Sequence, residues 1–137
     1  MAANSRMACA VQILCVIAYK GAGGTNATVI ARSLRTNPVV VRRLLKSLQL
    51  AGLVLIKPGK DGGAQLARDP NGITLDEIYR AVEPGAGLFA LRQGGNPKCP
   101  VNARMKDLLT PIFGAADGAV ERTLRQMSIG GLVEGIV

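Results

Sequence analysis

The sequence predicts a mainly α-helical chain that carries one small β-hairpin and closes with a long amphipathic helix. Three observations predict it. Apolar residues recur at helical spacing in three successive segments before Gly52. The period then shortens to that of strands on either side of the glycine-rich "GKDGG" (Gly59 to Gly63). Beyond Asn102 the helical repeat returns and holds to Met127.

The first helix covers Arg6 to Tyr19, where Met7, Ala10, Val11, Leu14, Ile17 and Ala18 form one stripe. Ser5 stands at the N-cap position, and "KGAGG" (Lys20 to Gly24) ends the helix with a left-handed stop. Thr25 or Asn26 caps a second helix through Val29, Ile30, Ala31 and Leu34. "RTN" (Arg35 to Asn37) breaks it. Asn37 caps a third helix with Pro38 in its first turn, where a missing N–H costs nothing. That helix runs through Val41, Leu44, Leu45, Leu48 and Leu50, and Gly52 closes it. "LVLIKPG" (Leu53 to Gly59) reads as a strand, "GKDGG" as a turn and "AQLARD" (Ala64 to Asp69) as the returning strand. After the turn "DPNG" (Asp69 to Gly72), Thr74 and Glu77 form a capping box for the short helix "LDEIYRAVE". Two helices joined by a tight turn and followed by a two-stranded wing make a winged helix-turn-helix. The last helix spans Asn102 to Met127, and Pro111 should kink or break it. The chain thus divides into a winged body (1–83), a linker (84–101), and the long helix with its tail (102–137).

Composition narrows the class. At 137 residues the chain is one domain with a small extension, and with no Trp, two Tyr and two Phe its core must be aliphatic. The longest apolar run, Met7 to Tyr19, is interrupted by Gln12 and is too short to span a bilayer. The absence of a clear small-x-small cleavage site followed by polar sequence argues against a secretory signal. Three cysteines do not make a disulfide framework, so a reducing cytoplasm is the simplest compartment. Enzyme chemistry finds no footing: there is no His, no paired-carboxylate site, no phosphate loop and no cluster with metal-ligand spacing.

The net charge of +8 is uneven. Residues 1–60 hold nine Lys or Arg and no Asp or Glu, whereas residues 61–137 hold eight bases and nine acids. A positive field confined to one half points to a polyanionic partner, with nucleic acid first.

Residues 6–83 resemble the DNA-binding domain of the Rrf-two family of bacterial transcription regulators, relatives of IscR, NsrR and CymR. The likeness is carried by "IARSL", by "NPVVVRRLLKSLQLAGLV" and by "PGKDGGAQLARDPNGITLDEIYRAVE". More loosely it extends to "NPKCPVNARMKDLLTPIF" (Asn96 to Phe113), which looks like the start of the family's dimerisation helix. The resemblance implies a sequence-specific, homodimeric regulator, a repressor, that binds double-stranded DNA and responds to thiol chemistry or to a ligand. The alternative is a nucleic-acid-associated or scaffold protein that keeps the winged fold without an operator.

In such a fold the third helix enters the major groove N-terminus first. That places Asn37, Pro38, Val39, Val40, Arg42 and Arg43 toward the bases, with Lys46 a turn further on toward the backbone. Arg42 and Arg43 can fork onto guanine or hold phosphate, and Asn37 can cap the helix or reach adenine. Thr25, Asn26 and Thr28 can offer N–H groups and hydroxyls to phosphate. The resemblance further implies that Lys57 and Lys60 on the wing reach a neighbouring minor groove. Arg32 and Arg35 are as readily solvated as bound to DNA.

In the last helix, Met105, Leu108, Leu109, Ile112, Phe113, Ala116, Val120 and Leu124 form an apolar stripe that would stay wet on an isolated chain. It predicts a homodimer, with an intrachain packing onto the first helix as the other option. Family members that bind an iron–sulfur cluster carry three cysteines close together in the region before this helix. Here that region has only Cys99, so no cofactor is expected. Cys99 lies near a helix start with Lys98 and Arg104 close by, a setting that favours a thiolate and a redox sensor. Its bland alternative is a packed thiol, the role expected of Cys9 and Cys15.

Overall fold

Helix formation in the first half follows the apolar seams. The structure, a computed structural model, describes residues 5–21, 24–59, 62–83, 85 and 87–136. In chain order its elements are α1 (Arg6–Lys20), α2 (Ala27–Leu34), α3 (Pro38–Leu50), β1 (Val54–Lys57), β2 (Gly63–Leu66), a 3-10 turn (Pro70–Gly72), α4 (Leu75–Val82), α5 (Pro100–Arg125) and α6 (Ile129–Glu134). The predicted mainly helical class with one hairpin, a winged helix-turn-helix and a long C-terminal helix, is the architecture found.

The chain divides into two compact units, Met1–Pro84 with Leu124–Val137, and Gly85–Thr123. In the first, α1 is the central element and packs against α2, α3, α4 and α6. Ile13, Leu14 and Ile17 of α1 are fully buried with Ile30, Val41, Leu48, Leu53, Val54, Ile73, Ile78 and Ile129. Each such aliphatic side chain contributes about 1.5–3 kcal/mol by leaving water. The core therefore needs no aromatic ring. Asn26 caps α2 by accepting the N–H of Val29 at 2.9 Å. Arg35 ends it in the left-handed conformation at φ 53°. Gly52, at φ 77°, turns the chain from α3 into β1.

β1 and β2 are antiparallel, pairing Val54 with Leu66, Leu55 with Gln65, Ile56 with Ala64 and Lys57 with Gly63. Thr25 adds a bridge to the outer edge of β2: its N–H donates to the Ala64 carbonyl (3.2 Å) and its carbonyl accepts from the Ala64 N–H (2.6 Å). The glycines of the wing answer to close approach. A Cβ on Gly62 would run into the Lys57 carbonyl, and one on Gly63 into that of Thr25.

The C-terminal tail, placed with the long helix by its position in sequence, groups with the winged body. Thr74 and Ser128 form a second isolated bridge. The Leu75 N–H donates to the Met127 carbonyl and the Ile129 N–H to the Ile73 carbonyl. Ser128 caps α6 by accepting the N–H of Gly131 at 3.0 Å.

The second unit holds the segment before α5 and most of α5 itself. Leu88 N–H donates to Asp117 Oδ1 at 2.9 Å, and Phe89 meets Phe113 at a centroid distance of 5.3 Å. α5 continues through Pro111, so of the kink or break expected there the break does not occur. None of its residues is buried.

Candidate nucleic-acid interface

The seam of α3 decides what its other face presents. Val41, Leu44, Leu45 and Leu48 are buried and dock the helix on the core. Val39 and Val40 are 53% and 39% exposed, and Arg42, Arg43 and Lys46 are exposed beside them. β-branched side chains lose rotamer freedom at a helix start and here bury little in exchange. Asn37 Oδ1 accepts the N–H of Val39 at 2.9 Å, so the side chain fastens the helix start, with Pro38 in the first turn.

Neither α2 nor α3 carries a carboxylate. The ion pairs among the described residues are Arg6–Glu83, Arg68–Glu77, Arg80–Asp76 and Arg125–Asp76. Arg42, Arg43, Lys46 and Lys57 thus stand without a carboxylate partner among the described residues. All four heads lie in solvent, the arrangement that keeps a positive field available to an incoming polyanion.

Asn26 and Thr28 sit exposed at the start of α2, and Asn26 lines a groove with Thr25, Lys57, Gly63 and Gln65 of the wing. Thr25 departs from its expected role. Its N–H is taken by Ala64, and its Oγ1 is buried with no partner, so it offers neither group to phosphate. The competing principle is sheet pairing: backbone donors next to a strand edge are claimed by that edge. Lys57 ends β1 and is exposed, whereas Lys60 lies outside the described residues.

Sequence reasoning missed Gln49. Its Oε1 accepts the N–H of Ile56 at 2.9 Å, fastening the last turn of α3 to β1. Ala64, opposite Ile56, spends its own N–H and C=O on Thr25. The Ile56 N–H therefore faces the free edge of β1, and Gln49 satisfies it. Asp76 was missed as well. It is 3% exposed, and its Oδ2 accepts from Arg80 (3.2 Å) and from Arg125 (3.4 Å), the last residue of α5. Burial pushes this carboxyl up, but the neighbouring Thr74 hydroxyl and the bonds from Arg125 and Arg80 outweigh it and hold it below its ordinary value, while Oδ1 is buried without a partner. Glu77 is likewise lowered against its burial by Arg68 and Thr74.

The stripe expected on α5 is largely open in the single chain. Leu108 is 48% and Ile112 61% exposed; Met105 is exposed too, and Leu109, Phe113, Ala116, Val120 and Leu124 are half-buried. Cys99 is half-buried just before α5, with its N–H on the Asn96 carbonyl. Cys15 is buried in α1, which raises its thiol, and Cys9 is half-buried on the same helix.

The pattern of the Rrf2 family, described as iron-dependent transcriptional regulators, matches residues 3–135. The chain belongs to the Rrf2 family. YwnA of Bacillus subtilis, named among the HTH-type transcriptional regulators, is 40% identical over 126 residues, covering 92% of each chain. A crystal structure described as that of a DNA binding protein superposes with a TM-score of 0.75 at 36% identity, over 93% of this chain and 98% of the other. CymR, the global cysteine regulator of Bacillus subtilis, shares the fold with a TM-score of 0.70 at 24% identity, over 98% and 97%. Rrf2 proteins are transcriptional regulators, not enzymes, and this Rrf2 chain is a transcriptional regulator.

The family description names iron, and the donors of this Rrf2 chain do not fit it. It has no His. Cys9 and Cys15 lie on α1, whereas Cys99 precedes α5 in the other unit. Among the described residues no three His, Cys, Asp or Glu side chains converge. An iron or iron–sulfur site needs such a convergent set, mostly of thiolates.

Proposed function

We propose that this Rrf2 chain is a homodimeric, sequence-specific repressor that reads double-stranded DNA in the cytoplasm. The observation that carries the reading is the outer face of α3: Val39, Val40, Arg42, Arg43 and Lys46 exposed together, with no carboxylate on the helix. A helix set in the major groove by its N-terminal half would bring Arg42 and Arg43 to guanine edges or phosphate, and Val39 and Val40 to thymine methyls. Lys46 would hold the backbone, and Asn37 and Pro38 would set the angle of entry. Asn26 and Thr28 at the start of α2 would receive a phosphate on free N–H groups. Lys57, with Lys60 further along the wing, would follow the rim of the next minor groove.

The dimer reading rests on α5, whose apolar stripe Met105, Leu108, Leu109, Ile112, Phe113, Ala116, Val120 and Leu124 has no buried member. A second copy would remove that surface from water and hold two recognition helices at a fixed separation. Cys99, at the start of this helix, is the group through which oxidation would reach the dimer. No described helix is long and apolar enough to cross a membrane.

The test is a gel shift on the promoter beside the gene for this chain, against a scrambled duplex of the same composition. A specific regulator prefers its operator by roughly 10³-fold or more at physiological salt. Equal affinity for both duplexes would leave only sequence-independent binding.

A further inference from the structure

Within the second unit, residues 91–94 lie along one face of α5 and form with it a cavity of ≈ 370 Å³. That is within the size range of small-molecule sites. Apolar Leu91, Met105 and Leu109 line it together with Arg92, Lys106 and Asn102. The α5 members fall three and four residues apart, so they share one helix face. Neither Arg92 nor Lys106 is among the ion pairs of the described residues, and among those residues no carboxylate lines the cavity.

We propose that this cavity binds a small organic carboxylate with a compact apolar body. Two like charges share one concave space beside apolar walls, so an anion with a hydrocarbon part satisfies both. A guanidinium takes a carboxylate bidentately, and Lys106 adds a second positive side chain to the same lining. An inorganic anion would leave Leu91, Met105 and Leu109 facing water. As a regulatory site the cavity rests on the regulator reading; as a binding site it stands on its own lining. Met105 and Leu109 also belong to the α5 stripe, so the homodimer proposed above and the ligand share this surface, and a second copy filling the cavity is the result that would give it to the seam instead.

Benzoate is titrated into the full chain without DNA and followed by calorimetry, with benzamide as its neutral counterpart. The expected result is saturable benzoate binding. Benzamide, and benzoate with the R92Q/K106Q double variant, should each bind about tenfold more weakly or worse. If the double variant loses helical signal, K106Q alone is read in its place. Equal affinities for benzoate and benzamide, or no saturable benzoate binding at millimolar concentration, would overturn the proposal. A double variant that leaves benzoate binding untouched would also overturn it, and a changed association state with that result would give the two cations to the contact with a second copy. Benzoate binding by a chain that shifts no promoter duplex keeps the site and refutes only the regulator reading.

Discussion

Replacing Arg42 and Arg43 together by Ala removes the two guanidinium groups that the α3 seam turns outward. Both are exposed and neither has a carboxylate partner among the described residues, so the fold should barely notice: about 0.5 kcal/mol or less in stability. DNA binding should notice a great deal. With Arg42, Arg43, Lys46 and Lys57 on each chain of a dimer, roughly eight phosphates would be neutralised, and log K against log salt should fall with a slope of about −7. The double variant keeps half of these charges, and its slope should shrink to about −3.6. At about 1 kcal/mol for each of four lost contacts, affinity should drop roughly a thousandfold. Fluorescence anisotropy on operator DNA over a series of salt concentrations reads slope and affinity together, while circular dichroism and sedimentation check fold and association. An unchanged slope with a loss below about tenfold would take α3 out of the interface.

Three further outcomes follow from the same geometry. Gln49→Leu leaves the Ile56 N–H at the edge of β1 without its acceptor, which should cost about 1 kcal/mol and speed hydrogen exchange at Ile56; an Ile56 amide as protected as before would show that Gln49 does not hold the wing. Asp76→Ala should destabilise the fold by about 1–3 kcal/mol, discounted because Arg80 and Arg125 are more than half exposed and can be rehydrated. Since Asp76 and Glu77 are lowered in the folded chain, their contribution is complete above the unfolded carboxyl range and lost as pH falls below about 4. Denaturant melts of D76A should therefore lose part of that acid dependence, and a parent melt flat across this window would contradict it. Cys99→Ser should bind operator like the parent under reduction and ignore diamide, whereas equal responses by both proteins would remove Cys99 as the sensor.

Local patterns in the chain carry most of the fold. Asn37–Pro38 and the seam Val41, Leu44, Leu45 and Leu48 are enough to place α3 and to say which face points outward. "GKDGG" places the wing because Gly62 and Gly63 leave no room for a Cβ and Gly59 takes φ 100°. What local patterns hide is pairing across distance. The Thr25–Ala64 bridge withdraws a threonine from the expected phosphate contacts, and Gln49 reaches a strand seven residues away. The tail is similar: the bridge of Ser128 to Thr74 joins residues far apart in sequence. Pro111, expected to kink or break the last helix, does not break it. One missing hydrogen bond in a helix of 26 residues leaves enough of the ladder for α5 to continue.

A hydroxyl-radical footprint of the full chain on its own promoter most directly tests whether this protein reads DNA through a pair of α3 helices. Two protected half-sites about one helical turn apart, roughly 34 Å, are the expected result, and both should fade in the R42A/R43A variant. Protection that spreads evenly along the duplex, or two half-sites that persist in that variant, would contradict it.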